Sequence, residues 1–159
     1  MTLLAATPLA ACGFTPAYGP QGGAQALLRN IEVRAPVTRT DYLMTRHLEE
    51  RLGRSNAADY RLDYTLKIEE ERIAITANNI TRRFNLIGTA EYRLTAPGGT
   101  LITKGAVDTF TGYSATGSTV ATRAARSDAE ERLTTILADR IVTRLIAAAP
   151  ALRSATPGT

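Results

Sequence analysis

Arginine supplies 17 of the 19 basic side chains in this 159-residue chain. Its planar guanidinium can hold a phosphate through two parallel hydrogen bonds, so anion binding is the most abundant chemistry the sequence offers. Arg72, Arg82 and Arg83 cluster in sequence and Arg93 and Lys104 follow them, which makes these five the candidate anion ligands. The formal net charge of +4 favours anionic partners without choosing among nucleic acid, lipid headgroups and anionic glycans. Other chemistries are poorly supplied. A single histidine, His47, and a single cysteine, Cys12, cannot build the dyads, triads or zinc sites that need several such side chains, nor an internal disulfide. Glu69, Glu70 and Glu71 are consecutive and would alternate faces on a strand, so they read as a solvated run rather than an acid-base pair or a cation site. No glycine-rich phosphate loop, G-x-S-x-G or H-E-x-x-H is present. No catalytic residue, metal or cofactor is therefore expected.

The most specific spacing lies at the N-terminus. The apolar stretch Leu3 to Leu9 leads into Leu9-Ala10-Ala11-Cys12, which resembles the lipobox of bacterial lipoprotein precursors. A thiol at that position would carry a diacylglyceryl thioether, and small residues before it let the extended backbone enter the signal peptidase. At roughly 0.8 kcal/mol per buried methylene, two or three acyl chains anchor stably where one does so only marginally. No run approaches the roughly 18 apolar residues of a membrane-spanning helix. The stretch Cys12-Gly13-Phe14-Thr15-Pro16-Ala17-Tyr18-Gly19 resembles the C-G-F-x-P-x-Y-G opening of the LPS-assembly lipoproteins, the LptE family. Physically it is an extended leader: Pro16 and the two glycines disfavour helix, and Phe14 and Tyr18 offer two anchors.

The elements that would position these groups follow from periodicity. Leu28 to Ala35 reads as a strand ended by Pro36. Thr38-x-x-Asp41 resembles a capping box, Met44, Leu48 and Leu52 recur four apart, and Gly53 suits a helix end. His47 lies beside that stripe as a boundary residue. Tyr60, Leu62, Tyr64, Leu66 and Ile68 occupy alternate positions, as in a strand buried on one face. Ile73 and Ile75 fall out of that phase, which predicts a bulge within Glu69 to Arg72 and a two-residue turn at Asn78-Asn79. That register pairs Ile75 with Arg82, Ile73 with Phe84, Ile68 with Gly88, Leu66 with Ala90, Tyr64 with Tyr92 and Leu62 with Leu94. Thr100 to Tyr113 reads as a further strand, and Ser114 to Arg126 is open between strand extension, loop and an early helix start. Leu133, Leu137, Ile141 and Leu145 mark a final helix, with Ser127-x-x-Glu130 as a second capping box and Pro150 as its stop.

The order β-α-β-β-β-α predicts an α+β fold, a four-stranded sheet with two helices packed on one face. The expected organisation is a signal segment at 1–11, a lipidated tether at 12–26, a single domain at 27–150 and a flexible tail at 151–159. The LPS-assembly lipoproteins have this architecture, and Arg126 to Leu145 is similar to their C-terminal helix. The resemblance implies a lipid-anchored protein on the periplasmic side of the outer membrane. It would plug and help assemble an LptD-type β-barrel and bind lipopolysaccharide, with no nucleic-acid partner and no enzymatic activity. The polar row Arg61, Asp63, Thr65, Lys67, Thr89, Glu91, Arg93 and Thr95 is compatible with bulk water or a polar barrel lumen. An auxiliary lipoprotein of an ABC-type lipid transport system is the competing reading, and it lacks the Phe14-Pro16-Tyr18 opening. Cys12→Ser is expected to abolish lipidation and release the protein from membranes. Fractionation together with the mass of the N-terminal peptide checks this, and a Cys12→Ser protein still bound to membranes would count against an acyl anchor.

Overall fold

The computed structural model describes residues 27–55, 57–75 and 81–155. In chain order the elements are β1 (Ile31–Val33), α1 (Arg39–Leu52), β2 (Tyr60–Ile75), β3 (Thr81–Thr95), β4 (Leu101–Ser114) and α2 (Thr119–Ala155). This is the α+β order read from the sequence. The strands lie side by side as β1-β2-β3-β4, with β1 parallel to β2 and the other neighbours antiparallel. Cys12, the tether, the Asn78-Asn79 turn and the last four residues fall outside the described residues.

The long β2–β3 hairpin forms because one face of each strand is apolar at every second residue. The expected pairs Leu62–Leu94, Tyr64–Tyr92, Leu66–Ala90 and Ile68–Gly88 are all present. The bulge is not where the sequence placed it. The ladder runs unbroken through Glu69–Ile87, Glu70–Leu86, Glu71–Asn85 and Arg72–Phe84, and the register shifts only between Arg72 and Ala74 and again between Ala74 and Ile75. Ala74 meets Arg83 and Ile75 meets Thr81, so the two shifts cancel, and the expected pairs Ile73–Phe84 and Ile75–Arg82 do not form. A net slip is needed only if a two-residue turn closes the hairpin. With Ile75 opposite Thr81 none is required, and Ile73 stays half-exposed.

Other boundaries also move. The first strand is only Ile31–Val33, because Arg29 takes a positive φ of 61° and its N–H donates to the Leu52 carbonyl at 2.7 Å, turning the chain before it can extend. The final helix begins at Thr119, about two turns before Ser127. Ser118 caps it, its hydroxyl accepting from Ala121 N–H at 3.2 Å, and Ser127 sits inside the helix, accepting a hydrogen bond from Arg39. This resolves the open segment as strand to Ser114 followed by an early helix start. Pro150 does not stop α2, which continues to Ala155. A proline removes one backbone donor, and this close to a helix end one missing bond is tolerated.

The capping box of α1 is as expected: Thr38 Oγ1 accepts from Asp41 N–H at 3.0 Å, and Asp41 Oδ2 accepts from Thr38 N–H at 3.1 Å. Met44, Leu48 and Leu52 of α1 and Leu133, Leu137, Ile141 and Leu145 of α2 are buried against the even-numbered residues of β2 and β3. The other sheet face is open, and on it Ile87 and its β4 neighbour Phe110 are exposed. Gly88 sets the helix-to-sheet distance: a Cβ there would stand 2.9 Å from both Leu133 Cδ2 and Leu137 Cδ1. Gly88→Val should therefore push α2 off the sheet and destabilise the fold by about 1–3 kcal/mol. Urea denaturation of the two proteins measures the difference.

Candidate anion-binding surface

The pairing of the central strands places Arg93 between Asp63 on β2 and Lys104 on β4. All three side chains project from the open face, since β3 buries its even positions against the helices. Asp63 does not neutralise its neighbour, because its Oδ1 is 3.3 Å from Arg61 Nε. Among the described residues Arg93 and Lys104 make no ion pair. Two like charges directly opposite each other on adjacent strands are mutually destabilising, and a bound anion relieves that repulsion. They border a hollow of about 750 Å³ that Arg34, Asp63 and Glu91 also line. Glu91, one row away, has no cationic partner among the described residues, so an anion is drawn to the Arg93–Lys104 side of the hollow.

Arg34 is held by a network that the sequence did not disclose. Its Nη2 is 3.1 Å from Asp41 Oδ2, and its guanidinium carbon lies 4.6 Å from the centre of the Tyr64 ring. Tyr64 in turn donates its hydroxyl to the Asp41 carbonyl at 2.9 Å and lies 2.8 Å from Thr45 Oγ1. The Arg34 Nε–H, by contrast, is buried and finds no partner among the described residues. Burial opposes ionisation of Asp41, yet the N–H groups of Thr38 and Val37 and the Arg34 charge outweigh it and hold the carboxyl below its ordinary value. Only the Thr38-x-x-Asp41 spacing signalled any part of this.

The five candidate ligands do not form one site. Arg83 is ten positions from Arg93 along β3, about 33 Å at the usual strand rise. Arg72 and Arg83 are exposed at the hairpin end, Arg72 on the helix-covered side and Arg83 on the open side, while the Arg82 side chain lies outside the described residues. The glutamate run divides as its alternation implied. Glu69 is 2.6 Å from Lys67, and Glu71 is exposed. Glu70 instead turns toward α2, accepting the Tyr113 hydroxyl at 2.9 Å and standing 3.2 Å from Arg126. Burial first, and the bond to Glu70 second, push the Tyr113 hydroxyl up to about 12. His47 bridges the helices, with Nδ1 3.2 Å from Glu50 Oε2 and Nε2 2.8 Å from Thr135 Oγ1. Among the described residues no helix is long and apolar enough to cross a membrane.

A mixed four-stranded sheet covered by two helices on one face, with a polar open face on the other, defines a small α+β module with solved relatives. A crystal structure described as a lipoprotein of Caulobacter crescentus CB15 superposes with a TM-score of 0.66 at 27% identity, covering 80% of this chain and 96% of that one. The rare lipoprotein B of Shewanella oneidensis gives 0.60 at 15% identity, covering 78% and 97%. Lipoprotein B of Nitrosomonas europaea gives 0.59 at 10%, covering 83% and 92%. The chain belongs to the Lipopolysaccharide-assembly family, LptE, whose sequence model matches residues 28–145. Among curated proteins none matches the chain.

The Asp41 network carries a pH signature. A carboxyl with a depressed folded pKa contributes stability above its unfolded value, here 3.8, and loses it as pH falls through the folded value. Asp41→Ala should cost about 1–2 kcal/mol at neutral pH by removing the carboxylate half of the capping box and leaving Arg34 without its partner. The gap between parent and variant should narrow below about pH 4, as urea midpoints at several pH values will show.

Proposed function

We propose that this protein is an outer-membrane lipoprotein, anchored through acylated Cys12 on the periplasmic side, that plugs and helps assemble an LptD-type β-barrel and binds lipopolysaccharide on its way to the cell surface. The observation that carries the reading is the family match over residues 28–145. The role is one of binding and assembly, with no catalytic step. Residues 1–11 serve as the removed signal segment and 12–26 as a tether that lets the folded domain reach the barrel while its acyl chains stay in the bilayer.

The open sheet face supports this reading by its composition. Arg61, Asp63, Thr65, Lys67, Glu91 and Arg93 give it a polar surface, as the water-filled interior of a large barrel requires. Arg93 and Lys104 are the first choice for the lipid A phosphates, being adjacent, exposed and without carboxylate partners among the described residues. Arg72 and Arg83 offer further exposed cations at the hairpin end, on opposite faces of the sheet, and Arg82 adjoins Arg83 in sequence.

Two measurements test the proposal. Detergent extraction of the native protein should recover a large β-barrel with it in stoichiometric amount, and recovery alone would remove the barrel from the account. For the ligand, Arg93→Ala/Lys104→Ala should weaken binding to lipopolysaccharide by about tenfold or more at low salt, with unchanged circular dichroism. Arg82→Ala/Arg83→Ala reports on the hairpin patch independently. If the first pair binds like the parent and the second does not, the phosphates sit at the hairpin end. If neither loses affinity, these cations are only a solvated surface.

A further inference from the structure

β4 is the last strand on its side of the sheet, so half of its backbone groups face no neighbouring strand. The register says which half. Arg34 N–H donates to the Leu62 carbonyl at 3.0 Å and Tyr60 N–H to the Asn30 carbonyl at 3.1 Å, so even-numbered residues of β2 point their backbone groups at β1 and odd-numbered ones at β3. Asp63 opposite Arg93 then turns odd positions of β3 toward β2 and leaves the even ones for β4. Leu86 opposite Thr111 turns odd positions of β4 toward β3. The N–H and carbonyl groups of Ala106, Asp108, Phe110 and Gly112 therefore point out of the sheet.

Two of these outward carbonyls are already occupied. Arg132 of α2 donates from Nη2 to the Gly112 carbonyl at 3.1 Å, and Arg140 donates from Nη1 to the Asp108 carbonyl. The reach depends on a match of two periods. Eight residues of helix rise about 12 Å, and four residues of strand span about 13 Å. Arg132 is further steadied by Asp128, one turn before it on α2. Midway between the two arginines is Ile136 and midway between the two carbonyls is Phe110, and both are exposed, Phe110 to 66%. The bare edge would thus present unpaired amides beside an apolar side chain, the combination that invites another strand.

We propose that Arg132 and Arg140 are edge guards that keep β4 from pairing with the β4 of a second copy of this chain. An antiparallel pair centred on Phe110 is self-complementary. The Asp108 carbonyl of one copy meets the Gly112 N–H of the other, the two Phe110 residues face each other, and the same patch serves both partners. Forming it requires both guanidinium groups of each copy to leave their carbonyls, and it gathers four cations along one seam. The guards therefore oppose association twice, by occupying acceptors and by like-charge repulsion.

Sedimentation of the full chain carrying Cys12→Ser, which removes lipidation, provides the test. The parent should remain monomeric, while Arg132→Ala/Arg140→Ala should raise the association constant by about tenfold or more. Hydrogen exchange at Asp108, Phe110 and Gly112 should slow in the associated variant. Adding Phe110→Pro, which removes one outward N–H without touching the ladder to β3, should return it to monomer. Arg132→Met/Arg140→Met keeps the apolar stems and removes the donors, and it carries the same expectation if the alanine variant fails to fold. A folded variant no more associated than the parent overturns the proposal. So does a dimer that survives Phe110→Pro, or a parent that already pairs through β4.

Discussion

The structure depends on the face shared by two long strands. Leu62, Tyr64, Leu66 and Ile68 on β2 lie opposite Leu94, Tyr92, Ala90 and Gly88 on β3, and this pairing puts one apolar surface beneath both helices. A slip of one residue would carry every one of these side chains to the open face. Gly88 then determines how close α2 comes, because only a residue without Cβ lets Leu133 and Leu137 rest on the sheet backbone. The buried stripe from Leu133 to Leu145 in turn sets which residues of α2 overhang β4.

Once that face is covered, geometry gives different groups of the basic side chains different tasks. Arg39, Arg46 and Arg51 of α1 meet Glu130, Glu131 and Asp139 of α2 at 3.4, 2.6 and 3.1 Å. These contacts align the helices more than they hold them, since exposed pairs contribute little next to the buried stripe. Arg132 and Arg140 turn to backbone carbonyls at the sheet edge. Arg93 and Lys104 are left on the open face with neither carboxylate nor carbonyl. Of the positions considered for anion binding, they are the adjacent pair whose charge the described fold does not use.

The two faces of the sheet divide the labour accordingly. The covered face supplies the stability, through apolar burial and a few satisfied polar contacts such as Tyr64 with Asp41 and Thr111 with the Ala129 carbonyl. The open face carries charge at little cost because water solvates it, and it is therefore free to be shaped by a partner. Phe110 and Ile87 are its apolar exceptions, side by side at the end where α2 guards the neighbouring edge.

Much of this was legible from residue order. Element sequence, the Thr38–Asp41 cap and the buried stripe of α2 all follow from local periodicity, which is a property of neighbouring residues, and the four core pairs of the hairpin are met because the expected two-residue turn and the expected bulge offset each other by one residue. The candidate cations were likewise visible as residue types. The rest depended on contacts between residues distant in sequence. The bulge position was misjudged because phase along one strand does not reveal how many residues separate the two arms of a hairpin. Ser127 and Pro150 looked like helix ends because each is one in isolation, whereas Ser118 caps α2 about two turns earlier and the helical backbone runs on past Pro150 to Ala155. Which cations are adjacent, which carboxylate neutralises which arginine, and which carbonyls face outward are consequences of register across the sheet. That register is an agreement among strands, so no single segment encodes it.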